Sequence, residues 1–330
     1  MSARLKVLVT GASGMLGRTV AETIARNGHT VTVMQRRPSG LDFAEIQGDI
    51  TNVDTVRRAV RGHEAVVHLA ARVSPTGQWQ DFVEVNVDGT RNLLTSSQEL
   101  GVHRFIYVSS PSVASSGAAH VGESALPADP GATNAYYPRS KALAEQLVLE
   151  RAGSDMAVAA IRPHLVWGPG DEQLVARIVE RAASGRLRLI GSGAALIDST
   201  YVDNAADAIA AGLEHAPAID GKALVVSNGE PRPVAELLRS MCSAAGYEIP
   251  DRGVPKWAAK AGGALVEAVW AGRRLRQDPP MTRFLAEQLS TAHWYDQRTT
   301  RRLLDWTPQV SIDEGLARLQ AAYKVPSSDL

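Results

Sequence analysis

The segment LKVLVTGASGMLG, residues 5–17, decides the fold of this 330-residue chain. Its first five residues are mostly apolar, which is typical of a strand buried on both faces. Gly11, Gly14 and Gly17 follow at a spacing of three, and the pattern RTVAETIARNG continues as a helix closed by Gly28. Glycine at these positions lets backbone amides approach a pyrophosphate, which a helix N-terminus then binds electrostatically. The segment therefore predicts the first strand, loop and helix of a dinucleotide-binding α/β sheet.

Strands and helices alternate beyond this segment. Further strands are predicted at HTVTVMQRR, at EAVVHLAARVS and from Arg104 to Val108, where the last ends in Ser109 and Ser110. Such alternation indicates a parallel sheet with right-handed crossovers. In sheets of this kind ligands bind beyond the carboxyl ends of the strands. We therefore expect Ser110 to lie at the ligand-binding edge.

The predicted fold class is α/β, a Rossmann-type doubly wound parallel sheet with a smaller, mainly helical C-terminal substrate domain. Residues 1–165 are assigned to the NAD(P)-binding domain and residues 166–330 to the substrate-binding domain. Segments near 198–227 are expected to return to the first domain.

The end of the second strand, at Gln35, bears on the type of nicotinamide cofactor. A carboxylate there would accept hydrogen bonds from the adenosine ribose, whereas this chain continues with Arg36 and Arg37. A guanidinium can bind a ribose phosphate through paired hydrogen bonds. The sequence therefore favours NADP(H). NAD(H) is the alternative if both arginines point to solvent.

Two more segments are placed to contact a cofactor. Asp49 follows a short strand, where its carboxylate can meet the adenine amino group, and the small residues Ala70 and Ala71 leave room for a flat ligand. His68 is interpreted as a packing or hydrogen-bonding residue. The eight histidines show no metal-ligand spacing with each other or with Cys242, so no metal is expected.

Composition excludes several classes of function. The formal net charge of zero provides no basic field for nucleic acid. The 45% hydrophobic and 21% charged residues are ordinary for a globular protein. The N-terminus lacks a signal-peptide layout, and no run of about 18 uninterrupted apolar residues occurs. A single cysteine cannot form an intrachain disulfide, and we expect a cytoplasmic protein.

The segment AYYPRSKALAEQLV, residues 135–148, contains two candidate acids. Tyr137 has Lys141 four residues on, whereas Tyr136 has only Ser140. Residues i and i+4 share a helix face, so Tyr137 and Lys141 meet if the helix includes Tyr137. An ammonium group beside a phenol favours its ionised form and lowers its pKa. Tyr-x-x-x-Lys by itself is a weak motif.

The chain resembles the extended short-chain dehydrogenases/reductases over nearly its whole length. The resemblance rests on TGASGMLG, GDI, VVHLAA, NVDGTRNLL, YVSS, YYPRSK and IRPHLVWGPGD, which occur in the correct order. It implies that Tyr137 is the catalytic acid/base, and that Lys141 lowers its pKa and holds the nicotinamide ribose. It further implies that Ser110 orients the substrate oxygen and that Asn86 supports the site and the cofactor. Tyr136 is then interpreted as a wall of the substrate pocket.

The residues discussed above, together with those that the resemblance implies, make up the predicted contacts to the dinucleotide. They come from the glycine-rich loop, the ends of several strands, the catalytic helix and the RPHLV segment. They are Gly11, Ser13, Gly14, Met15, Leu16, Gly17, Arg36, Arg37, Asp49, Ile50, Ala70, Ala71, Asn86, Tyr137, Lys141, Pro163 and Val166.

The second half of the chain narrows the substrate class. Residues 168–209 and 281–319 resemble the 3β-hydroxysteroid dehydrogenase branch, and the bacterial reductases of 2-alkyl-3-oxo fatty acids look equally close. Sugar-nucleotide epimerases usually carry an arginine before Asp-x-x-Tyr-Val, where this chain has Ile197 before Asp198. The resemblance therefore implies hydride transfer between NAD(P) and a hydrophobic ketone or secondary alcohol of sterol or alkylated 3-oxoacid type.

Other interpretations stay open. A sugar-nucleotide epimerase or dehydratase and a non-catalytic NADP-binding sensor share the same fold, although a sensor has no need of an acid/base. Trp257, Ala261, Leu265 and Val269 form an apolar stripe at helical spacing. This stripe is either docked on the core or exposed as a lid or membrane-surface helix. The expected partners are a small hydrophobic substrate and a second copy of the chain in a homodimer.

Overall fold

Strands and helices alternate through the first half of the chain, as the hydrophobic pattern predicts. The computed structural model describes residues 4–74, 77–249, 253–273 and 287–324. The first strands are β1 (Lys6–Thr10), β2 (Thr30–Gln35), β3 (Ala44–Gln47), β4 (Ala65–His68), β5 (Arg104–Val108), β6 (His120–Glu123) and β7 (Ala157–Pro163). The first helices are α1 (Met15–Arg26), α2 (Val53–Val60), α3 (Trp79–Phe82), α4 (Gly89–Glu99) and α5 (Tyr136–Leu149). A π-helix, Val83–Asp88, joins α3 to α4, and a 3-10 helix, Pro111–Ala114, follows β5.

The second half combines helices with very short strands. The strands are β8 (Val166–Trp167), β9 (Leu189–Ile190), β10 (Leu196–Ile197), β11 (Thr200–Tyr201), β12 (Ala223–Val226), β13 (Arg232–Pro233), β14 (Gly253–Val254) and β15 (His293–Tyr295). The helices are α6 (Val175–Ala183), α7 (Val202–Glu214), α8 (Val234–Ala244), α9 (Lys256–Arg273), α10 (Arg298–Leu304) and α11 (Ile312–Lys324). A 3-10 helix, Ala216–Ile219, lies between α7 and β12.

Within the described ranges, the main sheet has seven strands in the order β12-β7-β5-β4-β1-β2-β3. Every neighbouring pair is parallel. The chain therefore starts in the middle of the sheet and winds outward on both sides, which defines the Rossmann-type doubly wound fold. The strand order reverses between β1 and β4, which is the topological switch point of the sheet. The last residues of these two strands, Thr10 and His68, are paired in register. A dinucleotide binds at such a crevice.

Both faces of this sheet are buried. Side chains alternate along a strand, so Val7 and Val9 of β1 enter the core on one face and Leu8 enters the core on the other. Helices α1 and α7 cover the first face, and α2, α4 and α5 cover the second. This double burial explains the apolar run at the start of the chain.

Segments from the second half of the chain reach the main sheet. Strand β12 pairs with β7 at the sheet edge, and α7 packs against α1. Helices α6, α8 and α11 build a separate buried cluster around Trp167 and Met241. Short strands add a four-stranded sheet, β13-β10-β15-β6, to this part of the described chain.

Helix α9 contains the apolar stripe found in the sequence. The Trp257 side chain is 75% exposed and Ala261 is also exposed, whereas Ala259 is buried. The side chains of Leu265 and Val269 lie outside the described residues. Among the helices that the structure describes, none combines the length and apolar character needed to cross a membrane.

Candidate active site

The glycine-rich loop closes tightly over the end of β4. Gly11 has a φ of +81°, and a Cβ built on it would lie 2.8 Å from the backbone nitrogen of Ala70. A Cβ on Gly17 would lie 2.2 Å from the carbonyl oxygen of Gly11. Gly14 is the N-cap of α1 and supplies no side-chain cap, so the first amides of this helix are left to bind an anion. These residues fit the pyrophosphate of a dinucleotide. Ser13 is exposed, and Met15 and Leu16 are half-buried beside them.

The end of β2 leaves Arg36 and Arg37 exposed. A residue that the sequence interpretation missed shapes this turn: the Glu45 carboxylate on β3 accepts hydrogen bonds from the Ser39 amide (3.0 Å), the Ser39 hydroxyl (2.6 Å) and the Gln35 side chain (3.1 Å). The bonds from Ser39 lower the pKa of Glu45. An acid is therefore present near the end of β2, but one of its oxygens, Oε2, already accepts all three of these hydrogen bonds. Pairing of β2 with β3 brings Glu45 there, and no local pattern indicates it.

Asp49 and Ile50 follow β3. One Asp49 carboxylate oxygen accepts hydrogen bonds from the Thr51 amide and hydroxyl, both at 3.0 Å. The Ile50 side chain is buried. The backbone carbonyl oxygen of Ile50 accepts a hydrogen bond from the side-chain amide nitrogen of Asn92 at 3.1 Å. Asn92 belongs to the NVDGTRNLL motif, which thereby holds the segment predicted to contact adenine.

Helix α5 begins at Tyr136, so Tyr137 is helical and shares a face with Lys141. This meets the condition stated from the sequence. Tyr137 is half-buried and Lys141 is only 2% exposed. The Lys141 Nζ atom donates a hydrogen bond to the carbonyl oxygen of Val108 at 2.7 Å. Since Val108 ends β5 two residues before Ser110, this bond brings the Tyr137–Lys141 face of α5 to the strand that precedes Ser110.

Burial dominates the titration of this pair. It raises the pKa of Tyr137 to about 12 and lowers the pKa of Lys141 to about 7, while the Glu145 carboxylate opposes the shift at Lys141. The sequence interpretation expects Lys141 to lower the pKa of Tyr137. In the structure desolvation of the phenol is the main effect instead, and the ammonium group is directed at Val108.

Ser110 caps the 3-10 helix that follows β5. Its hydroxyl lies 2.9 Å from the Ser112 hydroxyl and accepts a longer hydrogen bond from the Ser112 amide. The neighbouring Ser109 is buried, and its amide donates to the Ile161 carbonyl at 2.7 Å. Ser110 is half-buried and is therefore the more accessible of the two serines that follow β5.

Asn86 lies in the π-helix and is held on two sides. Its amide nitrogen donates to the Ser140 hydroxyl at 2.8 Å, and that hydroxyl donates to the Tyr137 carbonyl at 2.9 Å. Its side-chain oxygen accepts a hydrogen bond from the Arg72 amide at 2.7 Å. Asn86 therefore ties the chain after β4 to the first turn of α5. π-helical turns often occur at functional sites.

His68 takes part in a buried hydrogen-bond chain. Its Nδ1 lies 2.7 Å from the Thr10 hydroxyl and its Nε2 lies 3.0 Å from the Thr90 hydroxyl. Burial, with a smaller contribution from Lys141, lowers the pKa of His68 to about 3, so the ring is neutral. The Thr10 hydroxyl also accepts from the Ala70 amide at 3.2 Å. The chain links the glycine-rich strand with the segment of Asn86.

The turn between β7 and β8 carries the last predicted contacts, Pro163 and Val166. Leu165 between them has a φ of +44°. The Thr200 hydroxyl donates to the His164 carbonyl at 2.7 Å, and the Thr200 amide donates to the Leu165 carbonyl at 3.2 Å. The second half of the chain therefore shapes this turn.

A cluster of aromatic and cationic side chains at Tyr136 was not predicted. The Tyr136 ring lies 5.6 Å from that of Trp79 and 5.9 Å from that of Phe82. The Arg139 guanidinium lies 4.7 Å above the Trp79 ring, and Arg72 lies 5.2 Å above Phe82. Only the YYP segment gave a signal for this cluster, because the other members are distant in sequence.

The doubly wound fold and the order of the sequence motifs along it are those of the extended short-chain dehydrogenases/reductases, a class of oxidoreductases. Residues 7–227 match the model of the NAD dependent epimerase/dehydratase family, and the chain belongs to this family. The class inferred from the motifs is thereby confirmed.

Similar curated proteins include reductases and dehydrogenases. The chain is 40% identical to a 2-alkyl-3-oxoalkanoate reductase from Stenotrophomonas maltophilia (strain K279a), over 96% of this chain and 99% of the relative. It is 30% identical to a 3-beta-hydroxysteroid dehydrogenase from Mycolicibacterium neoaurum, over 96% of this chain and 91% of that protein. A similar solved structure is UDP-glucuronic acid 4-epimerase from Bacillus cereus in complex with NAD, with a TM-score of 0.73 and 20% identity over 97% of this chain and 100% of that one. This last likeness concerns the fold alone.

Proposed function

We propose that the protein is an NADPH-dependent ketoreductase that reduces the 3-oxo group of a 2-alkyl-3-oxoalkanoate to a secondary alcohol. The observation that carries the proposal is the Tyr137–Lys141 face of α5, whose ammonium group reaches the end of β5 two residues before Ser110. The similarity to a reductase of that name over nearly the full length of both chains supports the substrate class.

The residues of the site can perform the proton chemistry of a carbonyl reduction. A bound nicotinamide cofactor supplies the hydride that adds to the carbonyl carbon. Ser110 donates a hydrogen bond that orients the carbonyl oxygen, and Tyr137 gives its proton to the developing alkoxide. Burial favours the protonated phenol, which is the form that can donate. Lys141 stabilises the phenolate that remains after the transfer.

The position before Asp198 argues for an apolar substrate rather than a sugar nucleotide. Ile197 is 2% exposed in β10 and provides no cation for a diphosphate where the epimerases carry arginine. A sugar-nucleotide epimerase is the second candidate, and the description of the matching family favours it.

The test is a turnover assay over a series of 2-alkyl-3-oxoalkanoates with lengthening alkyl chains. Each methylene that leaves water contributes about 0.8 kcal/mol, so kcat/KM should rise roughly fourfold per carbon until the pocket is full. UDP-glucose and UDP-glucuronate serve as the contrasting substrates. Turnover of a UDP-sugar together with a flat chain-length profile would decide for the epimerase.

For the cofactor, we propose that NADPH binds more tightly than NADH because Arg36 and Arg37 directly follow Gln35 at the end of β2, where the strand carries no carboxylate. Both arginines are exposed, so each is free to turn from solvent onto a ribose 2′-phosphate. A charge-assisted contact contributes about 1.5–3 kcal/mol, or roughly ten- to a hundredfold in affinity. Fluorescence titration should show that Arg36→Ala or Arg37→Ala weakens NADPH binding but not NADH binding. Arg186→Ala, at an exposed position after α6, is the control. Equal affinities of the wild type for both cofactors would contradict the proposal.

A further inference from the structure

Lys141 is buried against an aromatic ring. Its Nζ atom lies 4.0 Å from the centroid of the Tyr107 ring and donates a hydrogen bond to the carbonyl oxygen of Val108, the residue after Tyr107 on β5. The face of an aromatic ring attracts a cation through its quadrupole, and the attraction is largest where water is excluded. Tyr107 is itself buried, so this contact lies in the dry interior.

We propose that Tyr107 is a positioning residue of the active site, whose ring face keeps the Lys141 ammonium charged and holds it at the end of β5. The proposal rests on the proposed function insofar as Lys141 serves the reduction. Tyr107 contacts neither the reacting atoms nor the cofactor in this role, since it acts through Lys141.

The other groups that face Lys141 do not replace this contact. Glu145, one turn further along α5, favours the charged form but is itself paired with Arg162 (Nε to Oε2, 2.9 Å). His68 on β4 is neutral, because burial and then Lys141 lower its pKa. Tyr137 on α5 is protonated, since burial raises its pKa. Each of these groups is thus either neutral or already paired.

The Tyr107 hydroxyl does not explain why the ring is there. The pKa of Tyr107 is raised well above its usual value, chiefly by burial, so the phenol stays neutral. Among the described residues its oxygen has no hydrogen-bond partner within 3.5 Å, and the nearby Thr90 side chain is only the smallest influence on the pKa of the phenol, which it lowers. The ring face, rather than the hydroxyl, is therefore the part that acts on Lys141. Variants that change only the ring face or only the hydroxyl can distinguish the two.

The experiment follows the titration of the Lys141 ammonium by NMR in the full-length protein labelled with nitrogen-15 lysine. Lys141→Arg assigns the signal. Tyr107→Phe keeps the ring face, so Lys141 should titrate in this variant at the same pH as in the wild type. Tyr107→Met removes the quadrupole and should move the Lys141 titration about one pH unit lower. Tyr107→pentafluorophenylalanine keeps the ring shape while reversing its quadrupole, and it should shift the titration in the same direction even if the methionine variant folds poorly.

The pH profile of turnover gives the second measurement. Activity is lost as pH rises and Lys141 loses its proton, so a lower Lys141 titration moves the alkaline limb of kcat/KM to lower pH by the same amount. Wild-type titration of Lys141 in the pentafluorophenylalanine variant would overturn the proposal. The NMR titration needs no substrate. If it shifts as expected while no 2-alkyl-3-oxoalkanoate is reduced, the role of Tyr107 stands and the proposed function fails.

Discussion

Tyr136 and Tyr137 are adjacent in the sequence, yet their side chains have different surroundings. Tyr136 is 42% exposed and packs on Trp79 and Phe82, whereas Tyr137 lies on the helix face of Lys141. Tyr137→Phe should keep the fold and cofactor binding but reduce kcat by about two to four orders of magnitude, because the proton donor is lost. Tyr136→Phe keeps the ring contacts and should keep most of the activity. Steady-state kinetics of the two variants compare them directly, and the reverse result would exchange the two roles.

Substitutions at two glycines of the loop should affect different properties, thermal stability in one case and dinucleotide binding in the other. A Cβ at Gly17 would lie 2.2 Å from the Gly11 carbonyl oxygen, a backbone atom that cannot move easily. A Cβ at Gly14 would lie 3.9 Å from the same oxygen, an ordinary van der Waals contact, and Gly14 has an ordinary φ of −89°. Gly17→Ala should therefore lower the melting temperature clearly.

Gly14→Ala should leave the melting temperature near that of the wild type but weaken dinucleotide binding, because the added methyl group stands where the pyrophosphate approaches the backbone. Thermal unfolding and NADPH titration measure the two effects. If Gly14→Ala binds NADPH normally, the pyrophosphate does not approach the loop at this residue.

At the scale of elements, a buried ion pair joins α5 to β7. The Arg162 guanidinium binds the Glu145 carboxylate through two hydrogen bonds, one of them 2.9 Å from Nε to Oε2, and both residues are buried. Arg162 also donates to the Leu126 carbonyl at 2.7 Å and so anchors the loop before α5. This pair holds the catalytic helix against the sheet.

Removing one partner should cost more than removing both. Glu145→Gln leaves Arg162 charged and buried, and it should lower the free energy of unfolding by about 3–5 kcal/mol. The double variant Glu145→Met with Arg162→Met should be less destabilised than the sum of the single variants, since no buried charge remains. Urea denaturation of the wild type, the single variants Glu145→Met and Arg162→Met, and the double variant gives the coupling energy. Additive losses would show that the two side chains do not stabilise the structure as a pair.

At the scale of the whole molecule, buried histidines make stability depend on pH. Burial lowers the pKa of His68 to about 3, that of His164 well below its usual value, and that of His293 below its usual value. In the unfolded chain these rings take up protons near pH 6.5. The contribution of these rings to the free energy of unfolding should therefore be complete above about pH 6.5. At lower pH the free energy of unfolding should fall by up to about 1.4 kcal/mol per pH unit for each ring.

One buried acid opposes this trend. Burial raises the pKa of Asp198 from 3.8 to about 6, so its protonation stabilises the folded state between those values. Burial also lowers the pKa of His63 and raises that of Asp207, so each side gains one partly buried group. The histidines still outnumber the aspartates, and urea unfolding between about pH 7.5 and 5.5 should show decreasing stability. His164→Phe retains a ring beside His293 and Tyr295. It should reduce the slope of the free energy of unfolding against pH by about the amount expected for the uptake of one proton. An unchanged slope in this variant would remove His164 from the explanation.

Local patterns in the sequence determined much of this protein. The glycine spacing of residues 11–17 predicts the loop, because only glycine permits the close backbone contacts found there. The predicted strand from Arg104 to Val108 matches β5. The four-residue spacing selects Tyr137 over Tyr136 for the face of Lys141, since helix geometry alone decides which residues share a face.

Only the tertiary structure decided which distant residues surround these groups. Pairing of β2 with β3 brings Glu45 to the turn after Gln35, ten residues away in the sequence. Burial between α5 and β5 places Lys141 on Tyr107 and makes desolvation the main influence on Lys141 and Tyr137. Strand register and the exclusion of water arise from packing between segments distant in the sequence, so the local periodicity of one segment does not encode them.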